Sequence, residues 1–307
     1  MAPSNHDSKN VLLTGANGFI GQKLLRRLVE LESLNVVAVA RNTDDIAPHD
    51  GFSAIQVPDY LEADWNDPLQ NVDSVIHVAG IIQPPENSES PEQDMLRVNG
   101  EVTERLIQAA VAQNVRQFVY LSSMSVYGEE NNNRHLSPAS PTSPDSMYAR
   151  SKLAGETAIN KASSGSTINR IMIRPPMVVG TGTQGTFYSM ANLCVKIGFS
   201  PFGSVKSPFP IVFNDTLIDF IIAAVQLSPI EDGVYLVGEN QTYCLPDIVD
   251  QIAALSGASV RHLPVPQPLL KVLMSLLGKK KPYDQVTGGL QLDVSKAHAV
   301  LEQFKRS

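Results

Sequence analysis

A tyrosine, a lysine and a serine near the middle of the chain have the spacing needed for proton transfer to an oxygen atom. Tyr148 and Lys152 lie four residues apart, so on a helix they share one face, and Ser123 precedes them in a serine-rich segment. An ammonium group beside a phenol lowers the pKa of the phenol and stabilises its charged form. Together with the serine hydroxyl, the pair predicts proton transfer to or from an alcohol or a ketone.

A glycine-rich turn near the N-terminus predicts the second part of a reaction centre. Gly15, Gly18 and Gly21 follow a buried run at 11–14 and precede a helical stretch at 22–31. The first glycine permits a tight turn, the second lets backbone approach a pyrophosphate, and the third lets helix and strand pack closely. The N-terminus of the helix then faces the phosphates, so we predict a bound dinucleotide whose nicotinamide exchanges hydride.

The residues after the second and third strand regions bear on which dinucleotide binds. Where a carboxylate would hold the ribose of NAD, the sequence has Arg41, which favours the 2′-phosphate of NADP(H). NAD(H) remains possible, because a solvated surface arginine is the alternative interpretation. Asp64 could bond the adenine amino group, and its neighbour Trp65 either contacts the cofactor or packs in the core.

Small residues after the fourth strand region are expected to let the backbone pass close to the cofactor. His77 is either a satisfied histidine at the strand end or a proton shuttle, and Asn99 either ties its helix to the sheet or faces solvent. The residues predicted to bind the cofactor are Gly15, Asn17, Gly18, Phe19, Ile20, Gly21, Arg41, Asp64, Trp65, Val78, Ala79, Gly80, Asn99, Leu121, Tyr148, Lys152, Pro175, Met177 and Val178.

Strand-like runs alternate with helical stretches through the first half of the chain, which predicts a parallel sheet with right-handed crossovers. We expect an α/β fold with a Rossmann-type doubly wound parallel sheet and a smaller C-terminal substrate-binding lobe. The domain prediction is residues 1–175 for dinucleotide binding and 176–307 mainly for the lobe, with segments around 211–240 returning to the first domain. A single elaborated unit is the alternative.

Composition excludes several other classes of protein. The 307 residues are 43% hydrophobic and 18% charged, as in an ordinary globular enzyme, and the net charge of -7 argues against nucleic-acid binding. Cys194 and Cys244 have no partner spacing, so neither a disulfide framework nor a metal site is expected. The polar segment 1–10 lacks the regions of a signal peptide, which with the cysteine usage favours the cytoplasm.

The longest apolar stretch, Leu269 to Leu277, is too short to span a bilayer. Three lysines follow it at 279–281, so it could rest on an anionic membrane surface. We predict instead a buried amphipathic helix.

Taken together, these motifs resemble the extended short-chain dehydrogenase/reductase family of nucleotide-sugar epimerases, dehydratases and reductases, over essentially the whole chain. The glycine turn, the position of Asp64, the Ser-to-Tyr-to-Lys order and the segment 174–180 carry the resemblance. It implies that Tyr148 is the acid/base, that Lys152 lowers its pKa and binds the nicotinamide ribose, and that Ser123 bonds the reacting oxygen. It also implies a homodimer formed through helices around 92–113 and 148–161.

The resemblance implies a nucleotide sugar as substrate. Met124 and Ser125 stand where the dehydratases of the family have an acidic pair, which disfavours dehydration. Lys206 stands near where the family usually has an arginine against the substrate pyrophosphate. The residues predicted to bind the substrate are Ile81, Ser123, Met124, Ser125, Tyr148, Arg174 and Lys206.

Segments of the tail at 201–203, 263–266 and 289–297 resemble bacterial surface-polysaccharide enzymes that act on UDP-N-acetyl-hexosamines. The leading prediction is an NADP-dependent reductase that turns UDP-2-acetamido-2,6-dideoxy-4-ketohexose into UDP-N-acetylquinovosamine or its 4-epimer, because Arg41 favours NADP. One alternative is a UDP-sugar 4-epimerase, such as one acting on UDP-GlcNAc or UDP-glucose. Another is a non-catalytic NADP sensor, against which the intact Ser123, Tyr148 and Lys152 argue.

Overall fold

The computed structural model describes residues 8–44, 46, 51–128, 135–180, 182 and 186–307. The strands are β1 (Lys9–Thr14), β2 (Leu34–Ala40), β3 (Phe52–Gln56), β4 (Ser74–His77), β5 (Gln117–Leu121), β6 (His135–Leu136), β7 (Asn169–Ile173), β8 (Met177–Val179), β9 (Phe199–Ser200), β10 (Pro208–Phe209), β11 (Ile211–Phe213), β12 (Gly233–Tyr235), β13 (Tyr243–Cys244), β14 (Arg261–His262) and β15 (Gln291–Leu292).

The helices are α1 (Phe19–Val29), α2 (Pro91–Leu96), α3 (Val102–Ala112), α4 (Met147–Ala162), α5 (Thr186–Ile197), α6 (Asn214–Gln226), α7 (Leu245–Ala254), α8 (Gln267–Leu276), α9 (Lys280–Thr287) and α10 (Ser295–Arg306). A π-helical turn at Arg97–Glu101 joins α2 to α3, and a 3-10 turn covers Met124–Tyr127. The single helical stretch expected around 92–113 is therefore continuous but contains one wide turn.

Seven strands form one parallel sheet in the order β12-β7-β5-β4-β1-β2-β3. The chain builds outward from β1 through β2 and β3 on one side, then returns to place β4 and the later strands on the other. The direction of winding therefore reverses between β1 and β4, where ligands bind at the carboxyl ends of strands in such sheets. The predicted doubly wound α/β fold is confirmed.

Strand β1 shows how the sheet separates two apolar layers. Val11 and Leu13 pack with Leu24 of α1 and with residues of α6 and α10, whereas Leu12 packs with Leu106 of α3 on the opposite face. Successive side chains of a strand point to opposite faces, so a strand buried on both sides must be apolar throughout. Each fully buried aliphatic side chain stabilises this arrangement by about 1.5–3 kcal/mol.

The chain after β8 adds a smaller cluster around α5, α7 and α8. Ala191, Ile248, Ile252, Leu270 and Met274 are buried together there. Short strand pairs, β9 with β14 and β10 with β13, connect the helices of this C-terminal lobe. Between them in the chain, β12 rejoins the large sheet beside β7.

In the described part of the chain, no helix combines the length and the apolar composition needed to cross a membrane. Helix α8 contains the longest apolar stretch of the sequence. The expectation that it is a buried amphipathic helix is met on one face only, since four of its apolar residues, and Leu277 directly after it, are exposed.

Candidate active site

Tyr148 lies in the first turn of α4, where a serine fixes the start of the helix. Ser146 is the N-cap, and its Oγ accepts a hydrogen bond from the backbone N–H of Ala149 at 3.1 Å. A serine cap satisfies one of the helix's free donors and stabilises the end by about 1 kcal/mol. The cap holds the start of the helix in place, so the phenol of Tyr148 and the amine of Lys152 both line the same cleft.

Ser123 connects the end of β5 to this tyrosine. Its Oγ accepts hydrogen bonds from the backbone N–H of Ser125 at 3.2 Å and from the hydroxyl of Ser125 at 2.9 Å. With two bonds accepted, its own proton is available for Tyr148. Burial raises the pKa of Tyr148, and the hydrogen bond from Ser123 opposes that rise.

Lys152 is buried against an aromatic ring. Its Nζ lies 4.4 Å from the ring centroid of Tyr120, and the side chain is almost entirely buried. Burial lowers the pKa of Lys152 to about 7, partly opposed by the negative charge of Glu156. The lysine and the phenol of Tyr148 line the same cleft, and the hydrogen bond from Ser123 lowers the pKa of Tyr148.

The glycine turn has the shape that a dinucleotide pyrophosphate requires. Gly15 has a φ of 76°, and a Cβ added at Gly21 would lie 2.0 Å from the Gly15 carbonyl oxygen, so a side chain cannot be accommodated there. Gly18 is the N-cap of α1 and has no side chain that could accept from the first N–H groups of the helix. The first turn also has no acidic residue. The first N–H groups of α1 thus remain available for an anion.

One cleft of about 440 Å³ contains most of the residues singled out in the sequence. It runs along the carboxyl ends of β1, β4 and β5, at the reversal of the sheet. The predicted residues that line it are Gly15, Gly18, Phe19, Ile20, Gly21, Val78, Gly80, Ile81, Leu121, Ser123, Tyr148, Lys152, Pro175, Met177 and Val178. The glycine turn and the proton-transfer residues therefore share one cavity, as hydride chemistry requires.

Several predicted residues lie beside this cleft without lining it. The backbone of Ala79 touches the glycine turn, since a Cβ on Gly15 would lie 2.7 Å from its Cα. The Asn17 side chain reaches the carbonyl oxygen of Asn42 at 3.4 Å. Asp64 is exposed and lines a separate depression beyond β3, where its carboxylate accepts from the amide groups of Asn66.

Arg41 lies directly after β2, as expected, and is exposed to solvent. Its positive charge acts on the phenol of Tyr60, whose hydroxyl donates to the carbonyl oxygen of Val39 at 3.0 Å. Arg41 therefore follows the carboxyl end of the strand next to β1 in the sheet.

Trp65 is a correction to the sequence-based expectation. Its side chain is buried, its indole N–H donates to the carbonyl oxygen of Tyr60 at 3.2 Å, and the two rings meet edge to face with centroids 5.3 Å apart. The indole has one donor and it is already used. Trp65 is a packing residue, the alternative that the sequence left open.

Arg174 is the second correction, because its charge is neutralised inside the protein. Its Nε and Nη2 donate to the two carboxylate oxygens of Glu156 at 2.9 and 2.5 Å, and both side chains are buried. The guanidinium also lies over the ring of Tyr127, 4.7 Å from its centroid. A side chain held by a bidentate ion pair and a ring is not free to bind substrate, so Arg174 positions β7 against α4 instead.

The amide of Asn99 is fully engaged with protein atoms. Its Oδ1 accepts from the backbone N–H of Ile81 at 2.9 Å, and its Nδ2 donates to the Ile81 carbonyl oxygen at 2.8 Å and to Ser151 Oγ at 2.9 Å. Asn99 lies in the π-helical turn, which brings its side chain to the loop after β4. It shapes the cleft wall from behind, where the sequence had predicted cofactor contact.

Besides Arg174, three predicted substrate residues lie outside the cleft lining, and one of them, Ser125, hydrogen-bonds to Ser123. Met124 packs beside the apolar cluster that contains Val126 and Leu136, and its backbone N–H donates to the Pro175 carbonyl oxygen at 3.0 Å. Lys206 is exposed in the C-terminal lobe, close enough for its charge to act on Cys244. Met124 therefore acts in packing, and Lys206 has no contact with the cleft described above.

His77 belongs to a buried chain of hydrogen bonds that sequence reasoning could not assemble. Thr103 Oγ1 donates to the Asn99 carbonyl oxygen at 2.8 Å and so accepts from His77 Nε2 at 3.0 Å, while His77 Nδ1 accepts from Thr14 Oγ1 at 2.6 Å. This pattern fixes a neutral imidazole with its proton on Nε2. Burial and then the charge of Lys152 lower the His77 pKa to about 3, which favours the structural interpretation over a proton shuttle.

Ser122 is a cleft residue that the sequence analysis did not select. It lines the cavity beside Ser123, and its buried Oγ has no hydrogen-bond partner among the described residues. A buried hydroxyl without a partner costs about 1–3 kcal/mol, which a polar ligand group would recover. Its position in a serine-rich strand end was the available signal, but the neighbour Ser123 matched the pattern better.

The doubly wound sheet, with a glycine turn in a cleft at its reversal, is the architecture of dinucleotide-binding enzymes. A family model described as the NAD dependent epimerase/dehydratase family matches residues 11–231. The chain belongs to this family, which confirms the resemblance seen in the sequence, and it is an enzyme that uses a nicotinamide dinucleotide.

The chain is also similar to individual proteins and to a solved structure. The chain is 28% identical over 298 residues to a UDP-glucose 4-epimerase of Vibrio cholerae, covering 94% of this chain and 88% of that protein. It is 23% identical over 307 residues to an N-acetyl-alpha-D-glucosaminyl-diphospho-ditrans,octacis-undecaprenol 4-epimerase of Escherichia coli O157:H7, with coverages of 94% and 89%. The crystal structure of UDP-glucuronic acid 4-epimerase from Bacillus cereus in complex with NAD has a similar fold, with a TM-score of 0.73 at 23% identity over 95% and 92% of the two chains.

Proposed function

We propose that the protein is a nucleotide-sugar 4-epimerase, with a UDP-hexose or UDP-N-acetyl-hexosamine as substrate. The observation that carries this proposal is the meeting of Tyr148 and Ser123 with the glycine turn in one cleft. The relatives reported above support reaction at carbon 4 of the sugar. Both relatives are 4-epimerases, and each matches nearly the whole chain. This reverses the sequence-based preference for a reductase.

The glycine turn at 15–21 would hold a nicotinamide dinucleotide in the cleft, and the nicotinamide would supply the hydride acceptor and donor for the sugar carbon. Tyr148 takes the proton from the hydroxyl on that carbon and later gives it back to the same oxygen. Ser123 is free to donate one hydrogen bond, because Ser125 supplies both bonds that its oxygen accepts. That bond can stabilise either the phenolate or the carbonyl oxygen of the intermediate sugar.

The cleft lining also contains apolar side chains that suit a sugar rotating within it. Ile81, Ile82 and Pro176 are among them, and none of these side chains can hydrogen-bond to a sugar hydroxyl. A ketone intermediate can therefore rotate past these three residues without breaking side-chain hydrogen bonds to them.

A second candidate, an NADP-dependent reductase of a nucleotide-linked 4-ketosugar, is favoured by Arg41. The guanidinium is exposed at the end of β2 and has no ion-pair partner among the described residues, as expected of a group that awaits a 2′-phosphate. An epimerase has no need of NADP, because it recovers its cofactor in each turnover. The identity of the dinucleotide thus separates the two candidates.

The decisive assay uses the purified protein with UDP-GlcNAc or UDP-glucose and no added cofactor beyond NAD. An epimerase converts each sugar to a mixture with its 4-epimer, which NMR of the anomeric proton detects. A reductase leaves both sugars unchanged and oxidises NADPH only when a UDP-linked 4-ketosugar is added. Binding of a dinucleotide with neither reaction would overturn the proposal and favour the non-catalytic sensor.

The matched test of cofactor preference is Arg41→Ala. If NADP is the cofactor, the variant binds NADPH about tenfold or more weakly, since one charge-assisted contact to phosphate is lost, and its NADH affinity is unchanged. If NAD is the cofactor, both affinities stay near wild type. Fluorescence titration of the reduced nicotinamides gives both values, and Arg26→Ala on the nearby helix α1 is the control for general charge effects.

A further inference from the structure

Helix α8 has two apolar faces, and only one of them packs against the protein. Leu270 and Met274 point into the C-terminal lobe, with exposures of 0% and 5%. The residues of the second face are Leu269, Val272, Leu273, Leu276 and Leu277, exposed by 59%, 56%, 41%, 81% and 60%. We call these five residues the α8 outer face.

The spacing of the α8 outer face gives it a definite shape. Counted from Leu269, the apolar residues recur at positions i, i+3, i+4, i+7 and i+8, which is the pattern of one continuous stripe along a helix. A surface helix normally has polar residues on the side that faces water. A contiguous exposed apolar stripe marks a surface that binds something, whereas scattered single leucines do not.

The charge around the stripe indicates what it binds. Residues 251–283 contain no aspartate or glutamate, although the whole chain has a net charge of -7. The basic residues of this segment are Arg261, Lys271, Lys279, Lys280 and Lys281. In the structure, Lys271 and Lys280 share the single carboxylate of Asp284, so positive charge remains in excess beside the stripe.

From these observations we propose that the α8 outer face docks the enzyme on an anionic lipid bilayer. The helix would lie in the plane of the membrane with its leucines among the acyl chains near the headgroups and its lysines at the level of the phosphates. A second copy of the chain fits this face less well, because it would bring the lysines of both copies together. The proposal is independent of which reaction the cleft catalyses.

The test is flotation of the full-length protein with vesicles. Vesicles of phosphatidylcholine with about one third phosphatidylglycerol should carry the protein, and vesicles of phosphatidylcholine alone should not, since each lysine near an anionic surface strengthens binding about fivefold. Raising the salt concentration should release the protein, because it screens those charges. Failure to bind the anionic vesicles at low salt would overturn the proposal.

Two pairs of variants assign the binding to this face. Leu276→Ser with Leu277→Ser, and Lys279→Ser with Lys280→Ser, should each weaken vesicle binding by about tenfold or more. The matched controls are Leu255→Ser, an exposed leucine at the end of α7, and Lys161→Ser with Lys305→Ser on α4 and α10; these should bind as wild type. Equal binding by test and control variants would contradict the assignment.

Sedimentation velocity without lipid tests whether a second copy of the chain, and not a membrane, covers the α8 outer face. If Leu276→Ser with Leu277→Ser converts an oligomer to a monomer, the face joins two copies and the membrane proposal is wrong. If the sedimentation coefficient is unchanged and only vesicle binding falls, the proposal holds. Turnover of a nucleotide sugar in solution should be unaffected by these variants, so a failed docking test leaves the proposed function untouched.

Discussion

The cleft side of the large sheet and the C-terminal lobe differ in which side chains have an unusual exposure to solvent. In and behind the cleft, polar and charged side chains are buried: His77, Asn99, Lys152 and the Arg174–Glu156 pair. On α8, apolar side chains are exposed. Burying a polar group costs free energy unless the group is paired. A contiguous exposed apolar surface usually marks a site that another molecule covers. The buried polar groups are mostly paired with protein atoms and hold the cleft in shape, whereas the exposed leucines of α8 indicate contact with a surface.

The largest expected effect on stability comes from breaking the buried ion pair. Glu156→Gln leaves the guanidinium of Arg174 buried without a counter-charge, which should lower the free energy of unfolding by about 3–5 kcal/mol. Urea denaturation followed by circular dichroism measures this value. The half-exposed pair of Arg170 and Asp232 is the comparison, and Asp232→Asn should cost no more than about 1 kcal/mol. Similar costs at both pairs would mean that burial does not distinguish them.

A smaller effect concerns pH. The folded protein holds the pKa of His77 near 3, whereas the unfolded chain binds a proton at about 6.5. Between these values the unfolded state binds more protons, so stability falls as pH falls. From pH 7 to pH 5 this one group should remove about 2 kcal/mol from the free energy of unfolding.

The variant His77→Gln separates this contribution from those of the carboxylates. It lowers stability at every pH by removing hydrogen bonds, but its slope with pH should be shallower than that of wild type. Urea melts at pH 5, 6 and 7 supply both slopes. Identical slopes would show that His77 is not held neutral by burial.

The smallest effect is expected on α8. Leu276→Ser replaces a side chain that is 81% exposed, so the free energy of unfolding should change by less than about 0.5 kcal/mol. Leu270→Ala on the inner face of the same helix should instead cost about 2–5 kcal/mol. A large loss for Leu276→Ser in urea denaturation would show that the outer face is covered within the protein itself.

What the sequence could predict was local in kind. The glycine turn, the helix that carries Tyr148 and Lys152, and the alternation of strands and helices are each specified by residues within a few positions of one another, and the structure reproduces them. The partner of Arg174 lies eighteen positions away on another element, and no spacing rule links the two. The family resemblance of segment 174–180 led to a predicted substrate contact, whereas the chain buries Arg174 against α4.

The same limit applies to Trp65 and to Lys152. Both are large side chains whose role depends on the ring they meet, Tyr60 in one case and Tyr120 in the other. The i,i+4 rule placed Lys152 on the face of Tyr148 correctly, but it does not determine where the amine points. The exposure of the α8 outer face could not be predicted from the sequence either. The sequence of an apolar helix has the same pattern whether one or both of its faces are buried.

The most direct test of the account is the turnover of Tyr148→Phe on a nucleotide sugar, measured as the rate of 4-epimer formation with NAD present. Removing the phenolic proton acceptor should lower the rate about 10²- to 10⁴-fold and leave dinucleotide affinity nearly unchanged. Tyr188→Phe, which removes a hydroxyl bonded to the Gly180 carbonyl oxygen, is the matched control and should retain its rate. Wild-type turnover by Tyr148→Phe would contradict the assignment of Tyr148 as the acid/base.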